Sequence, residues 1–202
     1  DQGVTGAVGG GIWIAGGAAG TDGYPSGYAF ANAGSTQGIN GLSTSGSATG
    51  LRIYTGGGNL IMRGESSVNI GIAMADGTQI DSGAGSITIT ALSTTTTGAT
   101  NPHAIEWQTI AANNSTITSS KPSADAITIT GTSTAPAADS QGVSFWANNS
   151  TGSTVTLTAR GAGGNIVITG SSANAVSGVR LNSVNFYTAS GNVTIDGGAK
   201  GV

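Results

Sequence analysis

One histidine and no cysteine bound the chemistry open to this chain of 202 residues. His103 lies in the run "NPHAIEW", so a zinc site built on several His or Cys ligands is excluded. A Ser-His-Asp arrangement would need His103 as its base, but no Gly-x-Ser-x-Gly nucleophile elbow is present. His103 is therefore expected at a turn or strand edge. The nine carboxylates are scattered, and Asp76, Asp81 and Glu106 lack a patterned partner. A carboxylate pair about 5–10 Å apart, as glycoside hydrolysis requires, could be assembled only by the fold. "GGAAGTDGY", from Gly16 to Tyr24, approaches a calcium-binding Gly-Gly-x-Gly-x-Asp roll once and out of register. It reads as a turn containing Asp22. No catalytic, cofactor-binding or metal-ligating residue is assigned.

Surface chemistry is the remaining possibility. Trp13, Tyr54, Trp146 and Tyr187 each neighbour an inward apolar residue and are expected to face outward, where a ring can stack on a sugar or meet a partner. They are not expected to share one column. Thr88/Thr90 and Thr128/Thr130 form two Thr-x-Thr rungs of the kind found on ice-binding solenoids, but Trp13, Ile61, Arg63 and Asp196 interrupt the array. Threonine is in any case a good outward strand residue. Sequons at Asn113, Asn114, Asn148, Asn149 and Asn192 would accept glycans if the export route carries a glycosyltransferase.

Composition narrows the partners. Six Lys plus Arg against nine Asp plus Glu leave a net charge of −3, so no basic stripe exists to neutralise nucleic-acid phosphates. No apolar run approaches the length of a membrane span, and the chain as given opens with no secretory signal pattern. Thirty-six glycines, abundant Ser, Thr and Ala, and only 7% charged residues disfavour helices and suit β structure with many turns.

The elements that carry these side chains repeat. "GGNIVITG" from Gly163 has relatives in "GGNLIMRG" from Gly57, "AGSITITA" from Ala84, "ADAITITG" from Ala124 and "SGNVTIDG" from Ser190. Each holds apolar residues at i and i+2, which places both on one strand face. The pairs are Ile12/Ile14, Leu60/Met62, Ile87/Ile89, Ile127/Ile129, Ile166/Ile168 and Val193/Ile195. A second strand is expected at Tyr28/Phe30, Ile70/Ile72, Ile105/Trp107, Val143/Phe145 and Val179/Leu181. A third is expected at Ile53, Ile80, Ile117, Leu157 and Phe186. Three short strands per turn describe a parallel β-solenoid of five to six coils, about 25–30 Å long at the usual strand spacing. A single rung cannot bury its apolar face, and stacking makes the core continuous. Ile14, Met62, Ile89, Ile129, Ile168 and Ile195 are the expected core ladder.

"GN" at Gly58-Asn59, Gly164-Asn165 and Gly191-Asn192 is expected at corners, where both residue types tolerate positive φ. Asn165 and Asn192 are placed to stack as an amide ladder. Inserts from Leu92 to Pro102 and from Thr132 to Gln141 separate the first and second strands, and are expected to project from one side without contributing to the core.

The stretch "TVTLTARGAGGNIVITGSSANAVSGVRLNSVNFYTASGNVTIDGG", Thr154 to Gly198, resembles the repeats of filamentous-haemagglutinin-type exoproteins exported by two-partner secretion. The shared features are the G-N-[IV]-x-I-x-G strand, the S-G-V-x-L strand and the A-x-G-N-V return. Autotransporter passengers are similar. The resemblance covers residues 58–198 as regular coils and is looser over 1–57. It implies a right-handed parallel β-helix, export to the bacterial surface or matrix, and adhesion, with host or matrix glycans as partners. The expected function is that of a non-catalytic shaft or adhesive segment of a large secreted adhesin or extracellular fibre. The alternative is a polysaccharide-binding or polysaccharide-cleaving β-helix of tailspike or lyase type, and an ice-binding solenoid is a further one. "DGGAKGV" after Val193-Thr194-Ile195 is too short and glycine-rich to cap a rung. The expected partners are thus further coils of the same chain or head-to-tail copies, with no cofactor, no nucleic acid and no membrane insertion.

Overall fold

A computed structural model describes residues 10–19, 25–30, 37–41, 51–96, 102–109, 113–147, 152–174 and 177–202. The chain is all-β, with three parallel sheets built from the stacked strands of successive coils, which is a parallel β-solenoid. The first sheet stacks Ile12–Ile14, Leu60–Ser66, Ile87–Ser93, Asp125–Ser133, Asn165–Ser172 and Val193–Asp196. Its inner column runs Ile14, Met62, Ile89, Ile129, Ile168 and Ile195 in unbroken register. The four central members are fully buried, while the two end members are only half-buried because they have a neighbour on one side. The third sheet aligns Ile53, Ile80, Ile117, Leu157 and Phe186 in the same way.

The second sheet departs from expectation in its early coils. Ile72 and Met74, not Ile70 and Ile72, pair with Ile105 and Trp107, and Ile70 pairs with Gln37 of the preceding coil. Both pairs satisfy the i, i+2 pattern, and the corner decides between them. Ile72 follows the small residue Gly71 as Ile105 follows Ala104, and their backbones meet, Ile72 N–H donating to Ala104 O at 2.9 Å. Ala29–Phe30 joins the first sheet beside Gly64 and Glu65, so Tyr28 and Phe30 do not supply the second strand; Gln37–Gly41 does. Gly16–Ala19 and Pro25–Gly27 form an antiparallel pair in this first, less regular coil. Further along the second sheet, Trp107 stacks on Phe145 inside the tube, with ring centroids 6.0 Å apart.

Close approach, not left-handed backbone, explains the repeated corner glycines. Positive φ falls at Gly57 and Gly163, one residue before the Gly-Asn pairs. A Cβ on Gly191 would lie 2.0 Å from Gly164 O, and one on Gly85 would lie 2.0 Å from Gly58 O. At the next corner a Cβ on Gly131 would lie 2.0 Å from Gly142 O, and one on Gly170 would lie 2.3 Å from Gly178 O. The tube therefore narrows to backbone-on-backbone contact there. The asparagines ladder through the main chain and not amide to amide: Asn165 Oδ1 accepts the Asn192 N–H at 2.9 Å, and Asn59 Oδ1 accepts the Ser86 N–H at 2.9 Å. Buried hydroxyls satisfy carbonyls where strands end, Ser93 Oγ donating to Asn69 O and Ser133 Oγ to Pro102 O. This is one reason a narrow core tolerates so much serine.

The inserts are less detached than expected. Their first residues still belong to the first sheet, since Leu92 and Ser93 pair with Thr132 and Ser133. Thr95, Ala135, Ser140 and Gln141 are buried. Ser140 Oγ donates to Ala135 O and Ala137 O, folding the second insert back on itself. Residues 97–101, Asp22 and the sequons at Asn148 and Asn149 lie outside the described residues, while Asn113, Asn114 and Asn192 are exposed.

Candidate functional site

Strand alternation in the second sheet puts Ile105, Trp107, Val143 and Phe145 inside, and so turns Glu106, Gln108, Ser144 and Trp146 outward. Stacking then aligns Glu106, Ser144 and Arg180 in one outer column, with Gln108, Trp146 and Asn182 beside it. The second insert brings in Asp139, and the short segment ahead of Ile105 brings in His103. Together His103, Glu106, Gln108, Asp139, Ser144, Trp146 and Arg180 line a pocket of about 200 Å³. Acidic, basic and aromatic groups thus converge in one recess on the outside of the rod.

Each group is held differently. His103 sits just ahead of the strand Ile105–Thr109 and is buried, its Nδ1 accepting the Gln141 N–H at 3.1 Å. Burial lowers its pKa to about 4, with the Asp139 carboxylate opposing and the Arg180 guanidinium adding to the shift, so it is a neutral acceptor near neutral pH. Glu106 is 7% exposed, and burial pushes its carboxyl up to about 7, Arg180 opposing and Asp139 reinforcing. The buried Ser144 Oγ beside it has no hydrogen-bond partner among the described residues. Asp139 accepts Gln141 Nε2 at 2.7 Å and faces Arg180 at 3.8 Å across a solvent-exposed ion pair. Such a pair orients the two side chains more than it stabilises the fold.

Comparison with protein-family models, curated proteins and solved structures finds no match. The site must therefore be read from its own chemistry. Among the described residues no group of three or more His, Asp or Glu side chains is placed to hold a metal ion.

The four aromatic candidates fall in three places. Trp146 is half-buried in the pocket wall, and half-buried Trp13 lies in the outer column of the first sheet beside Ile61. Tyr54 and Tyr187 are 55% and 58% exposed and are the ends of one column, Tyr54, Asp81, Thr118, Thr158, Tyr187, on the third sheet, so the four do not form a single platform. Tyr54 Oη donates to Gln79 Oε1 at 2.7 Å there. The paired threonines Thr88/Thr90 and Thr128/Thr130 are adjacent for two rungs, followed by Val167/Thr169 and then Thr194/Asp196.

Sequence reasoning passed over Gln108, Asp139, Ser144 and Arg180. Three signals were present: Glu106, Ser144 and Arg180 each follow the first inward residue of a second strand, so aligning outward positions finds the column. Asp139 left no such signal, because it sits in a non-repeating insert.

Proposed function

We propose that this chain is a non-catalytic shaft segment of a large secreted bacterial surface adhesin or extracellular fibre, of the filamentous-haemagglutinin kind its repeats resemble. The observation that carries this reading is the first sheet, in which six strands stack in parallel with one inner column running from Ile14 to Ile195. A fold whose rungs contact only their neighbours grows in length without changing its cross-section, which suits a spacer. Val193–Asp196 ends the first sheet among the described residues, and its Val193 is 41% exposed. Antibodies against residues 52–198 should label intact producing cells or the matrix around them. Labelling that appears only after permeabilisation overturns the reading.

The second-sheet pocket favours a second reading, a β-helix that binds or cleaves polysaccharide. A carboxyl with a pKa near neutrality, in the same recess as another carboxylate, is a feature of glycoside-cleaving sites as well as of binding sites. Reducing-end release from soluble polysaccharides, abolished by Glu106→Gln, would establish cleavage; release unchanged by that substitution, or none, would dismiss it.

A further inference from the structure

From the recess on the second sheet we infer a binding site for one ring of a neutral saccharide, gripped between the Trp146 indole and the polar floor made by Glu106, Ser144 and Arg180. One unsatisfied group points to a missing ligand. Ser144 is 1% exposed with no hydrogen-bond partner for its Oγ, and it lines the cavity beside the buried Glu106. Buried polar groups are almost always paired. A polyhydroxyl ligand supplies donors and acceptors at once, which is what a hydroxyl and a carboxyl side by side require. Trp146 gives the wall an apolar plane, the surface on which the C–H face of a pyranose packs.

Charge and size select within that class. Asp139 and Arg180 offset one another at 3.8 Å and His103 is uncharged, so the one remaining ionisable group in the recess is the Glu106 carboxyl, whose charge can only repel an anion. A strongly anionic sugar would have to compete with Asp139 for Arg180. About 200 Å³ is below the volume of pockets for drug-sized ligands, and fits one ring better than an extended chain. The open outer side would leave the rest of a glycan in solvent. The site rests on the polysaccharide-binding reading of this pocket and is independent of the shaft reading and of cleavage.

The test is a titration of the full chain with methyl pyranosides of glucose, galactose, mannose and N-acetylglucosamine, and with glucuronate and sialic acid. The three tryptophan indole N–H resonances report position, because Trp107 is sealed in the core while Trp146 edges the pocket. The expected result is a saturable shift of the Trp146 resonance by at least one neutral pyranoside, with Trp107 unmoved. Trp146→Ala and Arg180→Ala should each weaken binding about tenfold or more. Unchanged amide spectra away from the pocket would show that the variants fold. No saturable shift with any neutral sugar, a response to the two acidic sugars alone, or binding that survives Arg180→Ala and Trp146→Ala, would each overturn the inference.

Discussion

His103 and Glu106 lie in the same recess and should make stability respond to pH in opposite directions. Glu106 rises from its ordinary 4.5 to about 7 on folding, so between those values the native state holds a proton that the unfolded chain has lost. Its contribution is fully present below pH 4.5 and disappears as pH rises through 7. His103 falls from 6.5 to about 4, so between those values the unfolded chain holds the extra proton. Its contribution is present above pH 6.5 and disappears as pH falls through 4. At about 1.4 kcal/mol per pH unit, each window amounts to about 3 kcal/mol, and the two nearly cancel where they overlap, between pH 4.5 and 6.5. Urea unfolding of wild type, Glu106→Gln and His103→Asn across pH 4–7.5 separates them, and subtracting each variant from wild type removes the background of the other carboxylates. The wild-type advantage over Glu106→Gln should shrink by about 3 kcal/mol from pH 4.5 to 7. The advantage over His103→Asn should grow by a similar amount from pH 4 to 6.5. Two difference curves with the same sign, or two flat ones, would show that burial does not control these groups and would refute the reasoning.

Ile168→Asp places a carboxylate in the dry central column and should cost about 4 kcal/mol or more in thermal or urea unfolding; parent-like melting would disprove the register. Gly131→Ala drives a Cβ to within 2.0 Å of Gly142 O and should cost about 2–3 kcal/mol, measured in the same assay, whereas Gly152→Ala, with open space around its Cβ position, should lose only what its φ of 69° imposes. Asn165→Ala removes its bonds to the Asn192 N–H and Asp125 Oδ1 and should cost about 1 kcal/mol, with faster amide exchange at Asn192 as the specific readout.

The first and third sheets were legible in the sequence because their strands combine paired or single aliphatics with short, nearly constant returns. A one-residue slip would turn Ile89, Ile129 and Ile168 out to solvent, so burial allows a single register. The second sheet was not legible throughout. "IGIAM" offers Ile70/Ile72 and Ile72/Met74 with equal periodicity, and only the contact of the Gly71 corner with Ala104 selects the second pair. Glycine columns were visible as composition, but their cause, backbone packed on backbone at the corners, belongs to the closed tube. The recess depended most on tertiary structure. Glu106, Ser144 and Arg180 are separated along the chain by one coil each, and stacking alone makes them neighbours. Asp139 arrives on an insert with no repeat to locate it. The shifted pKa values of His103 and Glu106 arise from burial, a property that residue type and spacing do not carry.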